Sequence, residues 1–304
     1  MALLGSASRR IGLVLAIHAL LLGWQAWRVG VTFDEPSHLT AAYMYWQGQD
    51  VLFPSDTPPL MRILSGWIPL VTRAPLRRDT PNWKTQSSFD IGAEMLEAMD
   101  HRAARRLIFF SRLPFLLFPL ATVWLVWHWG RQLFSETTAL VLAACAALEP
   151  TLLGHGSLIK SDVASAFGCL LFFYCGWRYW GRPTLRSVAA LALALVVAFL
   201  TKFTLLALIP VALALAVWRG PRAAGAAIVL GASYLGILAA YQFHEVRPIR
   251  EDEFQKITQE GFTRREVQAA RAMGKLPWPP QFIRGIRYIG AADRNKGFPA
   301  YMLG

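Results

Sequence analysis

Seven apolar runs, separated by polar turns or loops, constrain this chain more than any other feature of its sequence. They cover residues 11–29, 107–127, 138–154, 163–179, 188–201, 203–218 and 223–241. The first run is close to the length that crosses a bilayer, for which roughly 20 apolar residues suffice. Lipid-exposed backbone must satisfy its hydrogen bonds internally, so such runs become helices. We therefore predict an all-α polytopic membrane protein with about seven transmembrane helices.

The composition agrees with a membrane protein and excludes other classes. The chain of 304 residues is 55% hydrophobic and only 16% charged, whereas about a quarter of a soluble domain is charged. The net charge of +12 could suggest nucleic acid, but many arginines lie in short turns between apolar runs. Cys145, Cys169 and Cys175 lie within apolar runs. They indicate small buried side chains rather than a disulfide framework or a metal cluster.

The basic residues predict the orientation in the membrane. Arg9 and Arg10 precede the first run, and the turns on the same side hold Arg131, then Arg178, Arg182 and Arg186, then Arg219 and Arg222. Only Glu136 opposes them, so the positive-inside rule makes this side cytoplasmic. The alternation requires a tight reversal near Thr201 and Lys202. Both long segments, 30–106 and 244–304, then lie outside.

Polar residues of chemical interest converge on that outer face. They are Asp34, Glu35, His155, Asp162 and Lys202. Unpaired charge near hydrocarbon is expensive, which favours a functional site. Four of these residues also have an ordinary explanation: the two acids at the end of the first run can be solvated, Asp162 can cap a helix, and Lys202 can extend its amine to the interface.

The outer segments predict amphipathic helices lying on the membrane. Residues 34–47 form one candidate, and Thr57, as a cap before Pro58 and Pro59, starts a second. Their aromatic residues suit interfacial anchoring. Residues 263–266 show a capping-box pattern, and residues 280–289 form another amphipathic candidate.

Arg112 lies inside the second apolar run, where two explanations stand equally. Its long side chain can reach the interface, or its guanidinium can meet an anionic phosphate.

The ordered set of motifs resembles the GT-C membrane glycosyltransferases that use polyprenyl-phosphate sugars. More narrowly, it is similar to glycosyltransferase family 39, the protein O-mannosyltransferases and aminoarabinose transferases. The matching residues are Asp34-Glu35-Pro36-Ser37-His38 with Ala42-Tyr43, Pro58-Pro59-Leu60, Arg112, Glu149-Pro150 through Ser157 to Asp162, Thr201-Lys202-Phe203-Thr204, and the end from Pro277 to Gly304. Thr57 stands where relatives often have His or Lys.

The resemblance implies a role for each of these residues. Asp34 is the expected base that takes a proton from the acceptor hydroxyl, Glu35 orients the site, and Asp162 positions the acceptor or the sugar. The expected substrate-binding residues are His38, Arg112, Lys202, Pro58 and Pro59, with Lys202 and Arg112 facing the leaving phosphate. Because a lipid monophosphate makes little demand for a divalent ion and no DxD-like pair is evident, we expect no essential metal and no cofactor.

The expected reaction transfers a sugar, with inversion, from a polyprenyl monophosphate to a protein, lipid or glycan acceptor. The expected location is the periplasmic face of a cell inner membrane. Membrane lipids are expected partners and nucleic acid is not. The alternatives are a non-enzymatic lipid or polysaccharide transporter, an assembly subunit, or a truncated pseudoenzyme. A transporter would carry polar residues near the bilayer midplane, whereas here they cluster at one end.

The resemblance also suggests two regions in the chain. Residues 1–243 form the expected transmembrane catalytic domain, including the outer loop 30–106. Residues 244–304 form the expected outer loop that precedes the later spans of the family.

Cysteine labelling tests the orientation. In a background without the three natural cysteines, Ser88→Cys and Gln259→Cys should react with an impermeant maleimide added to intact cells, whereas Arg182→Cys should not. Protection of Gln259→Cys together with labelling of Arg182→Cys would show that the reversal at Lys202 is wrong.

Overall fold

Each of the seven apolar runs is helical in the computed structural model, which describes residues 2–48, 57–251, 268, 271, 272 and 274–286. The helices that contain these runs are α1 (Ala2–Arg28), α7 (His101–Arg112) with α8 (Leu117–Leu133), α9 (Glu136–Ala147) with α10 (Pro150–Gly156), α11 (Asp162–Gly181), α12 (Leu185–Thr201), α13 (Leu208–Trp218) and α14 (Arg222–Ala240). The second run is longer than predicted, because a 3-10 turn at Leu113–Leu116 joins α7 to α8.

By length and composition, three of the described helices can cross a membrane. They are Ser8–Arg28, the continuous stretch His101–Leu133 and Arg222–Ala240, and a fourth is added if α9 and α10, bent by 53°, count as one span. The other apolar helices are shorter or less apolar. The predicted class, an all-α polytopic membrane protein, is confirmed, with three or four described helices of spanning length and composition where the sequence predicted about seven spans.

The predicted break before Phe203 is present. α12 ends at Thr201, and Lys202 has an extended backbone with φ −153° and ψ 130°. A 3-10 turn, Phe203–Ala207, then leads into α13. α13 packs beside both α12 and α14, so the chain folds back at Lys202 rather than continuing as one long helix.

Small residues let the helices of the bundle approach closely. A Cβ at Gly168 of α11 would lie 2.7 Å from the Cα of Ala198 on α12, and one at Gly236 of α14 would lie 2.6 Å from Val196. Helices in lipid gain no hydrophobic driving force from each other and depend on such close packing. α12, which contacts α11, α13 and α14, is therefore the central helix of this half of the bundle.

Five short helices are described in the long segment between α1 and α7. They are α2 (Glu35–Trp46), α3 (Leu60–Ser65), α4 (Trp67–Val71), α5 (Pro81–Thr85) and α6 (Ser88–Glu97). A helix is present where residues 34–47 predicted one, but most of its residues are buried, and its predicted position on the membrane surface stays a prediction. Thr57 does not cap the next helix, because Pro59 occupies the N-cap position and no side chain caps there. The carbonyl of Thr57 instead accepts a hydrogen bond from Arg62 at 3.0 Å.

Two glycines hold α2 between its neighbours. A Cβ at Gly66, next to α3, would collide with the carbonyl of Ala42, and a Cβ at Gly92 of α6 would collide with that of Pro36. Only glycine permits this approach of backbone to backbone. The position of α2, and of the acids at its start, is therefore set from both sides.

The last described residues pack against the bundle. Residues 280–286 are helical, and Phe282 lies 6.1 Å from Tyr241 between ring centroids. Trp278 and Phe282 are both buried, so this part of the predicted amphipathic segment covers the core. The predicted helix at 263–266 lies outside the described residues.

A buried guanidinium closes the end of α1. The Nη1 of Arg112 donates at 2.8 Å to the carbonyls of Ala26 and Val29, and Nη2 donates at 2.7 Å to that of Gly30. Nε and Nη2 also donate to Glu35, at 2.7 and 2.6 Å. The last carbonyls of a helix have no partner within it, and this arginine supplies one. All five N–H groups of Arg112 are thereby engaged.

Both carboxylate oxygens of Glu35, the partner of this arginine, also accept hydrogen bonds. Its Oε1 accepts from Arg112 and from the backbone N–H of Ile159 at 3.1 Å, and its Oε2 accepts from Arg112 and from the N–H of Thr32 at 2.8 Å. Burial alone would raise the pKa of Glu35, but the hydrogen bonds and charge of Arg112 and the two backbone donors outweigh it and hold the pKa below its ordinary value. Since the pKa is lowered on folding, ionised Glu35 stabilises the protein at neutral pH. That contribution is lost as pH falls through the lowered pKa.

Separating this pair should be costly. Arg112→Ala or Glu35→Ala leaves an unpaired buried charge, which typically costs about 3–5 kcal/mol. The double variant should lose clearly less than the sum of the two, since neither charge is then left alone. Chemical unfolding in detergent measures this coupling. Arg77→Ala is the control, because the Arg77–Asp79 pair is exposed and 3.6 Å long; about 1 kcal/mol or less is expected there. Additive losses at 35 and 112 would contradict the assignment.

Candidate active site

Asp34 pairs with a lysine that the sequence reasoning did not single out. Its Oδ2 lies 2.9 Å from the Nζ of Lys160, and the two side chains are 48% and 20% exposed for aspartate and lysine respectively. Asp34 occupies the N-cap position of α2, but its side chain makes no capping hydrogen bond. The carboxylate is therefore directed to the lysine and stays accessible.

Asp162 and Lys202 form a second pair at 3.0 Å. Ser161 takes the N-cap position of α11, and Asp162 is the first helical residue, so it is not the N-cap that one explanation proposed. Lys202 follows directly on α12. An acid at a helix N-terminus and a base at a helix C-terminus both complement the helix dipoles. The pair thus joins the ends of two packed helices.

The two pairs are neighbours along the chain. Only Ser161 separates Lys160 from Asp162, so their Cα atoms are at most about 7.6 Å apart, because consecutive Cα atoms lie about 3.8 Å apart. The structure therefore brings Asp34, Asp162 and Lys202 to one end of the bundle through Lys160. A signal for Lys160 existed in the sequence, since it stands two residues before Asp162 in the same motif.

Glu35 is the buried residue that positions Asp34 and Lys160. It is fully buried, and its bond to the N–H of Ile159 fixes the segment immediately before Lys160. Asp34 is the residue before Glu35, and Lys160 is the residue after Ile159. The buried carboxylate of Glu35 therefore anchors both partners of the Asp34–Lys160 pair. This geometry suits a positioning residue rather than one that touches a substrate.

Arg112 follows neither explanation offered by its sequence position. It is 1% exposed, so it does not extend to the interface. Its five N–H groups already bind Glu35 and three carbonyls, which leaves none for a phosphate in this arrangement. Its contacts suit a residue that supports the site, and its predicted contact with a substrate stays a prediction.

The remaining expected binding residues surround the start of α2 and α3. His38 lies one turn after Asp34, and its backbone N–H donates to the Asp34 carbonyl at 3.1 Å. Its side chain is half-buried, whereas Pro58 and Pro59 are buried and lead into α3, which packs against α2 and α12. Contact of these residues with a substrate stays a prediction.

A basic cleft of about 490 Å³ lies beside this site, between the end of α1 and the start of α7. Arg28, His101 and Arg105 line it, together with the backbone that leads to Val31, three residues before Asp34. Arg105 stacks on Trp27 at 4.2 Å and donates to its carbonyl at 3.1 Å. This ordered arginine is a cation that an anionic group entering the cleft would meet.

The comparisons with known proteins agree with the architecture. Residues 105–241, a little under half of the chain, match the family model described as dolichyl-phosphate-mannose-protein mannosyltransferase. No curated protein and no solved structure gives a match. The matched segment includes Arg112, Lys160, Asp162 and Lys202, whereas Asp34 lies before it. The narrower assignment to glycosyltransferase family 39 stays a prediction, but the family match confirms the resemblance of this chain to the GT-C glycosyltransferases that use polyprenyl-phosphate sugars.

Proposed function

We propose that this protein transfers one sugar from a polyprenyl monophosphate to an acceptor hydroxyl at the outer face of a membrane, with inversion at the anomeric carbon. The observation that carries the proposal is the accessible carboxylate of Asp34, paired with Lys160 at 2.9 Å and anchored through Glu35. Support also comes from the family match over residues 105–241, whose description names mannose on a lipid phosphate.

In the proposed reaction Asp34 acts as the general base. The acceptor hydroxyl gives its proton to the carboxylate as its oxygen bonds to the anomeric carbon, and the bond from that carbon to the phosphate oxygen breaks. A positioned base contributes typically about 10²–10⁴-fold to such a step. Lys160 keeps the carboxylate oriented, and Asp162 holds the acceptor or the sugar.

The leaving phosphate gains negative charge and needs cations rather than a proton. Lys202 is the first candidate, because its side chain is 43% exposed and a compact ammonium binds phosphate well. The cleft beside Arg105 offers a second cation. The engaged donors of Arg112 argue against its direct use, and its proposed part is to hold Glu35.

Replacing the base should abolish transfer without unfolding the protein. Asp34→Asn keeps the shape of the side chain but cannot accept the proton, so transfer from polyprenyl-phosphate-mannose should fall by about 100-fold or more. The readout is consumption of labelled donor by membranes that contain equal amounts of protein. Asp79→Asn changes an exposed aspartate of the same outer segment and should leave transfer unchanged. Near-normal turnover by Asp34→Asn would contradict the assignment of Asp34 as the general base.

Variants of Lys202 and Asp162 distinguish a phosphate-binding role of the lysine from a structural role of the ion pair. If Lys202 binds the carrier phosphate, Lys202→Met should weaken binding of polyprenyl phosphate about 10-fold or more, because a charged hydrogen bond is worth about 1.5–3 kcal/mol. Asp162→Asn breaks the same ion pair but leaves the ammonium and should not weaken this binding. Equilibrium binding in detergent measures both. Equal losses would show that the pair only joins α11 to α12.

A further inference from the structure

A basic pocket of about 410 Å³ lies where α11 ends and α12 begins. Its walls include Arg178 on α11, Arg182 in the connection and Arg186 on α12, with Tyr174 and Ser187 between them. The mechanism proposed above does not use any of these residues. The pocket therefore needs its own explanation.

No described carboxylate pairs with the charges of this pocket. Among the residues that the structure describes, no ion pair involves Arg178, Arg182 or Arg186, in contrast to Lys160 and Lys202 at the other end. Glu136, the first residue of α9, does not line the pocket and accepts a hydrogen bond from the indole N–H of Trp127 at 3.0 Å. Three guanidinium groups around one concave surface form a site for an anion.

Arg178 is held in place by neighbouring side chains. Its Nη1 donates to the Oη of Tyr174 at 3.1 Å, and that oxygen also lies 3.0 Å from the Nε2 of His128 on α8. Gln132 donates to the same oxygen at 3.4 Å. Arg178 is therefore ordered by side chains of two helices before any ligand arrives, which lowers the entropic cost of binding.

The pocket is far from the candidate active site. Arg178 lies sixteen residues along α11 from Asp162, which is about 24 Å at about 1.5 Å per residue. It lies at the end of the bundle that the positive-inside pattern predicts to be cytoplasmic. A ligand in this pocket would be separate from the sugar donor.

An apolar surface continues from the pocket along α12. Arg186, Ala190 and Leu193 are spaced four and three residues apart and so share one face of the helix. Leu193 is 64% exposed, as is typical of a side chain that faces lipid. A molecule with a negative head and an apolar tail matches both parts of this surface.

We propose that this pocket binds the phosphate group of an anionic phospholipid, with an acyl chain along α12. The chemistry that recognises the ligand is the phosphate, and the apolar stripe selects a lipid over a free phosphate ion. This inference does not depend on the proposed transfer reaction. It gives the three arginines a binding role in addition to their effect on orientation.

Native mass spectrometry of the purified full chain tests the proposal. Phosphatidylglycerol should bind more tightly than phosphatidylcholine of the same acyl chains. Arg182→Gln, at an exposed position, should weaken phosphatidylglycerol binding about fivefold, from about 1 kcal/mol per arginine. The triple variant Arg178→Gln, Arg182→Gln, Arg186→Gln should lose the preference for phosphatidylglycerol.

The matched control removes three arginines of the same predicted face outside the pocket: Arg9→Gln, Arg10→Gln and Arg222→Gln. This control should keep the preference. Equal loss in both triple variants would mean that net charge alone attracts the lipid, and equal binding of the two lipids would also overturn the proposal. Inorganic phosphate should compete weakly. If it binds as tightly as phosphatidylglycerol with the same dependence on Arg182, the pocket belongs to a free phosphate. The single variant decides the matter if the triple variant does not fold.

Discussion

The buried pair of Arg112 and Glu35 is the interaction on which the end of the bundle around the candidate site depends. It joins the end of α1, the start of α2, the helix α7 and the segment before α11 through hydrogen bonds of 2.6 to 3.1 Å. A charged pair inside a protein is stable only when its remaining donors and acceptors are satisfied, and here they are. Four separate parts of the chain therefore share one electrostatic anchor.

The buried and the exposed ion pairs at this end of the molecule differ in what they can do. The buried pair has no capacity left for a ligand, whereas Asp34, Lys160, Asp162 and Lys202 are partly open to solvent. Exposed pairs contribute little to stability and can exchange partners at small cost. Rigidity is thus placed beneath the site, and the groups that can change partners lie on its surface.

Much of the architecture could be predicted from the sequence, because helix length and charge placement follow from the bilayer itself. The seven helical runs, the helix at α2 and the break at Lys202 were of this kind. The role of Arg112 was not, since its partners are carbonyls more than eighty residues away in sequence. The pairing of Asp34 with Lys160 likewise depends on a tertiary contact that no local pattern records. The functions of the site residues remain proposals.

The balance of charge among Asp34, Lys160, Asp162 and Lys202 has a consequence for the proposed reaction. Two carboxylates and two ammonium groups cancel, so the empty site carries no net charge from these four residues. A surplus of positive charge would hold the phosphate of the spent carrier more tightly than the phosphodiester of the donor, since the former carries more negative charge. In the proposed reaction, a lysine that has met the departing phosphate can return to its own carboxylate, because the charges are balanced. The ion pairs would then compete with the proposed product and favour its release.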